Sequence, residues 1–234
     1  MKIGIFSDIH GNIYAFNEVM NSLKNESCDL HVFLGDACGY YYYANEIIDV
    51  LRDMKNLVAV RGNHDDIFIK IIKNKEIEKE YTERYGKALS LLKNSISPKN
   101  MDYLKKLPEK ERISKYSICM YHGSPSNHLE GYVYPTNNLS FFKNISEKYV
   151  FLGHTHYPMN KTTGAARFIN PGSCGQPRDF DMPSYAVLNV ETGEFKIKRV
   201  DYNKNALIEE ILRHGENNKY LIKILNREIG HEKT

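Results

Sequence analysis

Six short apolar runs, each halted by a polar cluster, constrain the fold of this chain more than any other feature. KIGIF (2–6) ends at Ser7-Asp8-Ile9-His10, LHVFL (30–34) at Gly35-Asp36, and LVAV (57–60) at Arg61-Gly62-Asn63-His64-Asp65. YSICMY (116–121) ends at His122-Gly123, KYVFL (148–152) at Gly153-His154-Thr155-His156, and RFI (167–169) at Asn170-Pro171-Gly172-Ser173. Runs this short and apolar, each closed by turn residues, read as buried strands. Helical patterns lie between them: Ile13, Phe16, Val19, Met20 and Leu23 share one face, as do Ile47, Ile48 and Leu51. Residues 66–107 read as mostly helical, with Ser97-Pro98 starting the last helix. SYAVLNV and EFKIKRV flank Glu191-Thr192-Gly193 as a hairpin. Strands alternating with helices predict a parallel sheet in the first half, and the second half is richer in strand. Ligands of such sheets gather outside the carboxyl ends of the strands. Polar clusters at six strand ends therefore predict one shared site.

The 234 residues suffice for one large domain, or a domain with an appendage. A formal net charge of +3, from 32 basic and 29 acidic residues, gives nucleic-acid binding no support. Cys28, Cys38, Cys119 and Cys174 form no C-x-x-C pair, so zinc-finger and thiol-redox readings gain nothing. The opening Met1-Lys2-Ile3-Gly4-Ile5-Phe6 is too short for a signal peptide, and no stretch approaches the roughly 18 apolar residues that span a bilayer. The expectation is a cytoplasmic protein with reduced thiols and no membrane partner.

Asp8 and His10 are two residues apart at a predicted strand end, as are His154 and His156. In extended backbone such pairs point to one side, so each pair is expected to reach one metal ion. Singly, each cluster has a plain explanation. Asp36 suits a turn or a helix cap, and Asn63-His64-Asp65 suits a polar turn with Asn63 left-handed. Together, two aspartates, one asparagine and four histidines form a mixed nitrogen and oxygen donor set. Such a set suits Mn, Fe, Zn or similar ions such as Ni and Co rather than Ca or Mg. Seven ligands exceed the needs of one ion and predict two divalent metal ions sharing a carboxylate. Two dications, two aspartates and a bridging hydroxide leave the centre near +1, which attracts an anionic phosphate.

In this order, SDIHGN, GD, RGNHD, YHGSP and GHTH resemble the calcineurin-like metallophosphoesterase superfamily. The later INPGSCGQPRDFDMPSYAVL resembles its small bacterial and archaeal phosphodiesterase-like branch. The resemblance implies an α/β fold, a four-layer α/β/β/α sandwich of two mixed sheets flanked by helices. The catalytic domain is expected over residues 1–202, with the helical segment 66–107 inside it. Residues 203–234 form a helical extension that either packs back on the domain or builds a homo-oligomer. By the same resemblance Asp8, His10 and His156 hold the first metal ion, Asn63, His122 and His154 the second, and Asp36 bridges both. Manganese is the first expectation. His64 faces the substrate to stabilise the transition state or protonate the leaving group, and Asp65 orients His64.

The implied reaction is hydrolysis of a small phosphoester, a diester before a monoester, by in-line attack of a metal-bridging hydroxide. A dinucleoside polyphosphate, a phosphoprotein or a nucleotide-like ester are the alternative substrates, and a non-catalytic scaffold is the remote one. No covalent intermediate is needed, so Gly172-Ser173-Cys174-Gly175 reads as a tight turn under the site. Arg178 is expected either to grip the phosphate or to pair with Asp179 or Asp181. Arg61 is expected to anchor its loop, His31 to sit in a strand, and His128, His214 and His231 to lie outside the chemistry.

Four tyrosines, Tyr40 to Tyr43, follow Asp36 closely. In the resembling branch this loop usually reads G-Y-G-P-x-P-N-E. Tyr40, Asn45 and Glu46 fit that pattern, whereas Tyr41 and Tyr42 stand where Gly and Pro are common. The expectation is that Tyr41 or Tyr42 offers a stacking face to a base or aromatic leaving group.

Overall fold

A computed structural model describes residues 1–216 and 219–226. The first half of the chain lays down β1 (Lys2–Phe6), α1 (Ile13–Asn25), β2 (Leu30–Phe33), α2 (Ala44–Asp53) and β3 (Leu57–Ala59). The three strands pair in parallel, with β1 against β2 and β2 against β3. The segment read as helical divides into α3 (Asn63–Ile71), α4 (Lys75–Tyr85), α5 (Ala88–Ser95) and α6 (Pro98–Lys106). Ser97 caps α6 by accepting from the Asn100 amide, with Pro98 in the first turn, as its sequence predicts. Next come β4 (Lys110–Ile113), β5 (Ile118–Tyr121), β6 (Tyr149–Phe151), β7 (Pro158–Thr163) and β8 (Ala166–Pro171). The chain then returns to the first sheet with the hairpin β9 (Ser184–Asn189) and β10 (Phe195–Arg199).

Two mixed five-stranded sheets result, ordered β10-β9-β1-β2-β3 and β4-β5-β6-β8-β7. They face each other across Ile3, Ile5, Val32 and Leu34 from one side and Ile118, Met120, Phe151 and Ile169 from the other. Helices α1 to α6 cover the outer face of the first sheet through Phe16, Val19, Ile48, Phe68 and Leu104. On the second sheet, Val133, Leu139 and Phe142 of the long β5–β6 connection close over Val150 and Phe168. The observed layers are those the sequence predicts. Strands β4 and β7 were not predicted, and both are sheet edges. Their side chains alternate or face water, so the sequence carries no apolar run there.

The C-terminal extension packs back on the domain. Helices α7 (Lys204–Arg213) and α8 (Lys219–Leu225) set Leu207, Ile211, Leu221 and Ile224 against Ala15, Tyr40, Tyr41 and Tyr202. The rest of the extension, His231 with it, lies outside the described residues. Among the described residues no helix is long and apolar enough to cross a membrane.

Candidate metal centre

The carboxyl ends of β1, β2, β5 and β6 meet at one point, and the ligand-bearing loops turn there in an unexpected way. Asp8, His10, Asp36, His154 and His156 all have positive φ, between 52° and 65°. The D-x-H and H-x-H pairs therefore converge through left-handed backbone, not through the extended backbone that the spacing suggests. Such conformations cost a non-glycine residue of order 1–3 kcal/mol each and persist only where the surroundings impose them. Here the surroundings do. The Ser173 hydroxyl donates to the Asp8 carbonyl at 2.8 Å, and the Gly175 amide donates to the same oxygen at 2.9 Å. The Ile9 and His10 amides both donate to the Asp36 carbonyl. The turn at Ser173-Cys174 thus lies under the site and holds its first loop, with no nucleophile's position.

Asn63 is not in a left-handed turn. It opens α3, with Gly62 as the extended residue before it. A Cβ on Gly62 would run into Asp36 Oδ1, so only glycine fits between the two loops.

Asp8, His10 and His156 offer ligand atoms all within 4.8 Å of one another, and Asp36, His122 and His154 do the same. A third such group, His10, Asp36 and His64, overlaps both. Asp36 Oδ2 stands 3.7 Å from His10 Nε2 and 3.3 Å from His122 Nε2, between the two triads. Asn63 Oδ1 lies 2.9 Å from His122 Nε2. All seven predicted ligands are therefore brought together.

The residues fit cations on three further counts. His10, His122 and His156 each direct Nδ1 at a backbone carbonyl, of Cys38, Leu34 and Gln176 respectively. That bond fixes the proton on Nδ1 and turns Nε2 inward as a lone-pair donor. His10 Nε2 and His156 Nε2 then face each other at 3.0 Å. Third, Asp8 Oδ1, Asp36 Oδ2 and His154 Nε2 are buried with no hydrogen-bond partner among the described residues, an arrangement costly in a protein interior unless a cation satisfies it.

Electrostatics agree. Burial alone would raise Asp8, but His156 and then His122 hold its carboxyl below the usual range. Burial likewise opposes Asp36, which His122 and His64 hold well below it. Burial should lower His122, yet Asp36 lifts it to about 9. The carboxylates therefore attract positive charge to this point, whether proton or metal. Burial pushes His154 down to about 3 and His64 to about 4, so both imidazoles are neutral at pH 7.

His64 groups with His10 and Asp36, but Asp65 does not orient it. The Asp65 carboxylate instead accepts from three amides, those of Asp36 (2.9 Å), Cys38 (2.9 Å) and Gly62 (3.0 Å). It braces the bridging loop against α3. Burial and the Asp36 charge push its pKa up to about 6, against the pull of those donors. Asp65→Asn places an amide N–H against one of these donors. It is expected to destabilise the metal-free protein by about 3 kcal/mol. Denaturant unfolding of the metal-free protein measures this, and an unchanged midpoint would remove Asp65's bracing role.

The partner of His64 is Tyr81 on α4. Its hydroxyl lies 2.7 Å from His64 Nδ1, and Tyr81 is only 4% exposed. Sequence reading missed Tyr81, although YTERY places Tyr81 and Tyr85 on one helix face at i, i+4. Tyr85 joins the same ring cluster, 4.8 Å from Tyr81 and 5.6 Å from His64.

The tyrosine run is also placed otherwise than predicted. Tyr41 is 1% exposed, its hydroxyl accepting from Gln176 Nε2 inside the cluster formed with α7 and α8. Tyr42 packs its ring 4.1 Å from His214. Neither offers a stacking face, because the C-terminal helices occupy that side. Tyr40 is the member that reaches the site, 4.6 Å from His10 and 5.0 Å from His64.

Arg178 lies at the same edge of the site as Tyr40, with its backbone amide donating to the His156 carbonyl. Its predicted alternative partners are engaged elsewhere: Asp179 with Arg199, and Asp181 with Lys204 at 2.9 Å. Its guanidinium pKa is raised by Tyr40, Tyr220 and Asp8, against burial, which places it at the metal centre's edge. Arg61 anchors its loop through Asp66 and Glu109. His31 sits in β2, and His128 stacks on Tyr121 away from the metal triads.

Comparison with known proteins agrees with this geometry. Residues 1–193 match the calcineurin-like phosphoesterase superfamily domain, and the chain belongs to that superfamily of phosphoester hydrolases. It is 30% identical over 233 residues to an uncharacterized protein of Methanocaldococcus jannaschii, covering 91% of this chain and 92% of that one. Among solved structures, a metallophosphoesterase from Sphaerobacter thermophilus superposes with a TM-score of 0.80 at 24% identity, over 96% of this chain and 98% of that one. A hypothetical protein from Pyrococcus horikoshii OT3 superposes with a TM-score of 0.84, also at 24% identity, over 96% and 97%.

Proposed function

We propose that this phosphoester hydrolase is a phosphodiesterase that works with two divalent metal ions. One observation carries the reading. Two buried ligand triads flank Asp36, and the two inward carboxylate oxygens, Asp8 Oδ1 and Asp36 Oδ2, have no partner among the described residues. Asp8, His10 and His156 would hold one ion, Asn63, His122 and His154 the other, and Asp36 both. Bound there, the ions would supply Lewis acidity toward phosphoryl oxygens and a lowered pKa for water. The nitrogen-rich donor set favours manganese, iron or zinc over calcium or magnesium.

The protein's own groups do the rest. Arg178, on the Asp8–His156 side, pairs with a non-bridging phosphate oxygen and sets the ester's orientation. His64, neutral and pinned at Nδ1, presents Nε2 to the leaving-group oxygen and donates a hydrogen bond as charge develops there. Ser173 and Cys174 are buried under the first loop, with the Ser173 hydroxyl donating to the Asp8 carbonyl, and take no covalent part.

The test is metal content with activity. Protein purified without chelator and supplied with manganese is expected to hold about two ions per chain and to hydrolyse bis-p-nitrophenyl phosphate. A content near zero sinks the two-metal reading. Chelation should also lower the melting temperature. Two sites, each at a hundredfold excess of metal over Kd, contribute about 5 kcal/mol, or roughly 10 °C or more in a chain of this length. An unchanged melting temperature on chelation would show that the carboxylates hold no ion.

A further inference from the structure

A cavity of about 380 Å³ opens directly beside the metal triads, bounded there by Asn63 and His154. Its far walls come from two elements remote in sequence. Helix α4 supplies Ile77, Tyr81 and Tyr85, and the loop after β5 supplies Tyr132. Tyr132 is 56% exposed, far more than a ring of its size needs to be for folding. It packs 4.2 Å from the His154 ring and lies parallel to Tyr134 at 5.7 Å and 9°. A supported, exposed aromatic face beside a reactive centre is a stacking platform. Tyr85 stands on the α4 side, packed on Tyr81.

The rim is acidic. Glu80 and Glu130 line the cavity with Arg84, whose guanidinium lies over the Tyr85 ring at 4.9 Å from its centroid. Two carboxylates and one guanidinium leave a formal −1. Arg178 stands near enough to this wall for its charge to act on the Tyr85 phenol. A flat uncharged group with amino or hydroxyl donors would stack on Tyr132 and donate to the carboxylates.

We propose that this cavity is the leaving-group subsite and that it takes a nucleoside. The proposal rests on the hydrolase reading above for the word leaving, but the binding itself does not. The volume falls within the usual range for small-molecule pockets, about 300–1,000 Å³. The ring that performs the stacking is Tyr132, not the Tyr41 or Tyr42 that the sequence suggests.

Two measurements on the full chain test it. Calorimetric titration of the metal-free protein with adenosine should show saturable binding, weakened about tenfold in Tyr132→Ala. Because Tyr132 is exposed, that variant should fold as the parent does. With manganese present, Tyr132→Ala should raise KM for a nucleoside phosphodiester about tenfold more than for dimethyl phosphate. Absence of saturable adenosine binding, equal binding by the variant, or equal KM changes for both esters overturns the subsite. If adenosine binds as expected but no ester is hydrolysed, the hydrolase reading fails and the subsite stands.

Discussion

Asp36→Asn is expected to lower kcat/KM for bis-p-nitrophenyl phosphate by at least about a thousandfold, roughly 4 kcal/mol of lost transition-state stabilisation. The change preserves shape. Asn can still accept the 2.8 Å hydrogen bond that Asp36 Oδ1 takes from the His64 amide, and the left-handed conformation of residue 36 suits Asn as well as Asp. The inward atom loses its charge. Oδ2 stands between His10 and His122, where it is placed to serve both triads. Its replacement leaves Asp8 as the remaining carboxylate among the seven ligands, so metal content should fall with activity. Elemental analysis of the variant beside its kinetics separates two outcomes. Loss of metal with loss of activity supports a bridging role. A variant that retains two ions and works within tenfold of the parent would show that Asp36 bridges nothing.

The seven candidate ligands are legible in the sequence because strand ends leave a local record. An apolar run must stop where the strand leaves the core, and polar residues at the stops of β1, β2, β3, β5 and β6 converge by topology alone. Asp8, His10, His154 and His156 converge through positive φ, which no extended i, i+2 rule anticipates. The partners of His64 and Tyr41 could not be read in the same way. The His64 and Tyr81 pair spans seventeen residues and two helices, so it depends on how α3 and α4 cross, not on a local pattern. Asp65 follows His64 in the chain and looks like its orienter, but the first turn of α3 points it at the amides of Asp36, Cys38 and Gly62. Tyr41 and Tyr42 read as rim residues because the packing of α7 and α8 over their loop is a tertiary event. The amphipathic pattern of 203–234 showed that this segment had an apolar face to bury, but not where.

His64→Ala should cost about a hundredfold to a thousandfold in kcat for an alkyl phosphodiester while leaving the metal content unchanged. Its effect on a p-nitrophenyl ester should be much smaller, because that leaving group stabilises its own charge. Tyr81→Phe should show the same selectivity at reduced size, about tenfold for the alkyl ester. The reasoning is tautomeric. His64 is neutral at pH 7, so only the tautomer with hydrogen on Nε2 can donate into the site. The Tyr81 phenol stays protonated, since burial holds its pKa well above the ordinary value. It can therefore donate to Nδ1 across 2.7 Å and fix the Nε2–H form. Without the hydroxyl, Nδ1–H competes and the ring loses its anchor. A purely structural Tyr81 would behave differently: its loss would alter stability and depress both esters alike. The decisive readout is the ratio of alkyl to p-nitrophenyl rates in Tyr81→Phe, with KM unchanged. An unaltered ratio would separate Tyr81 from the chemistry, and loss of metal in His64→Ala would make His64 a ligand instead of a donor.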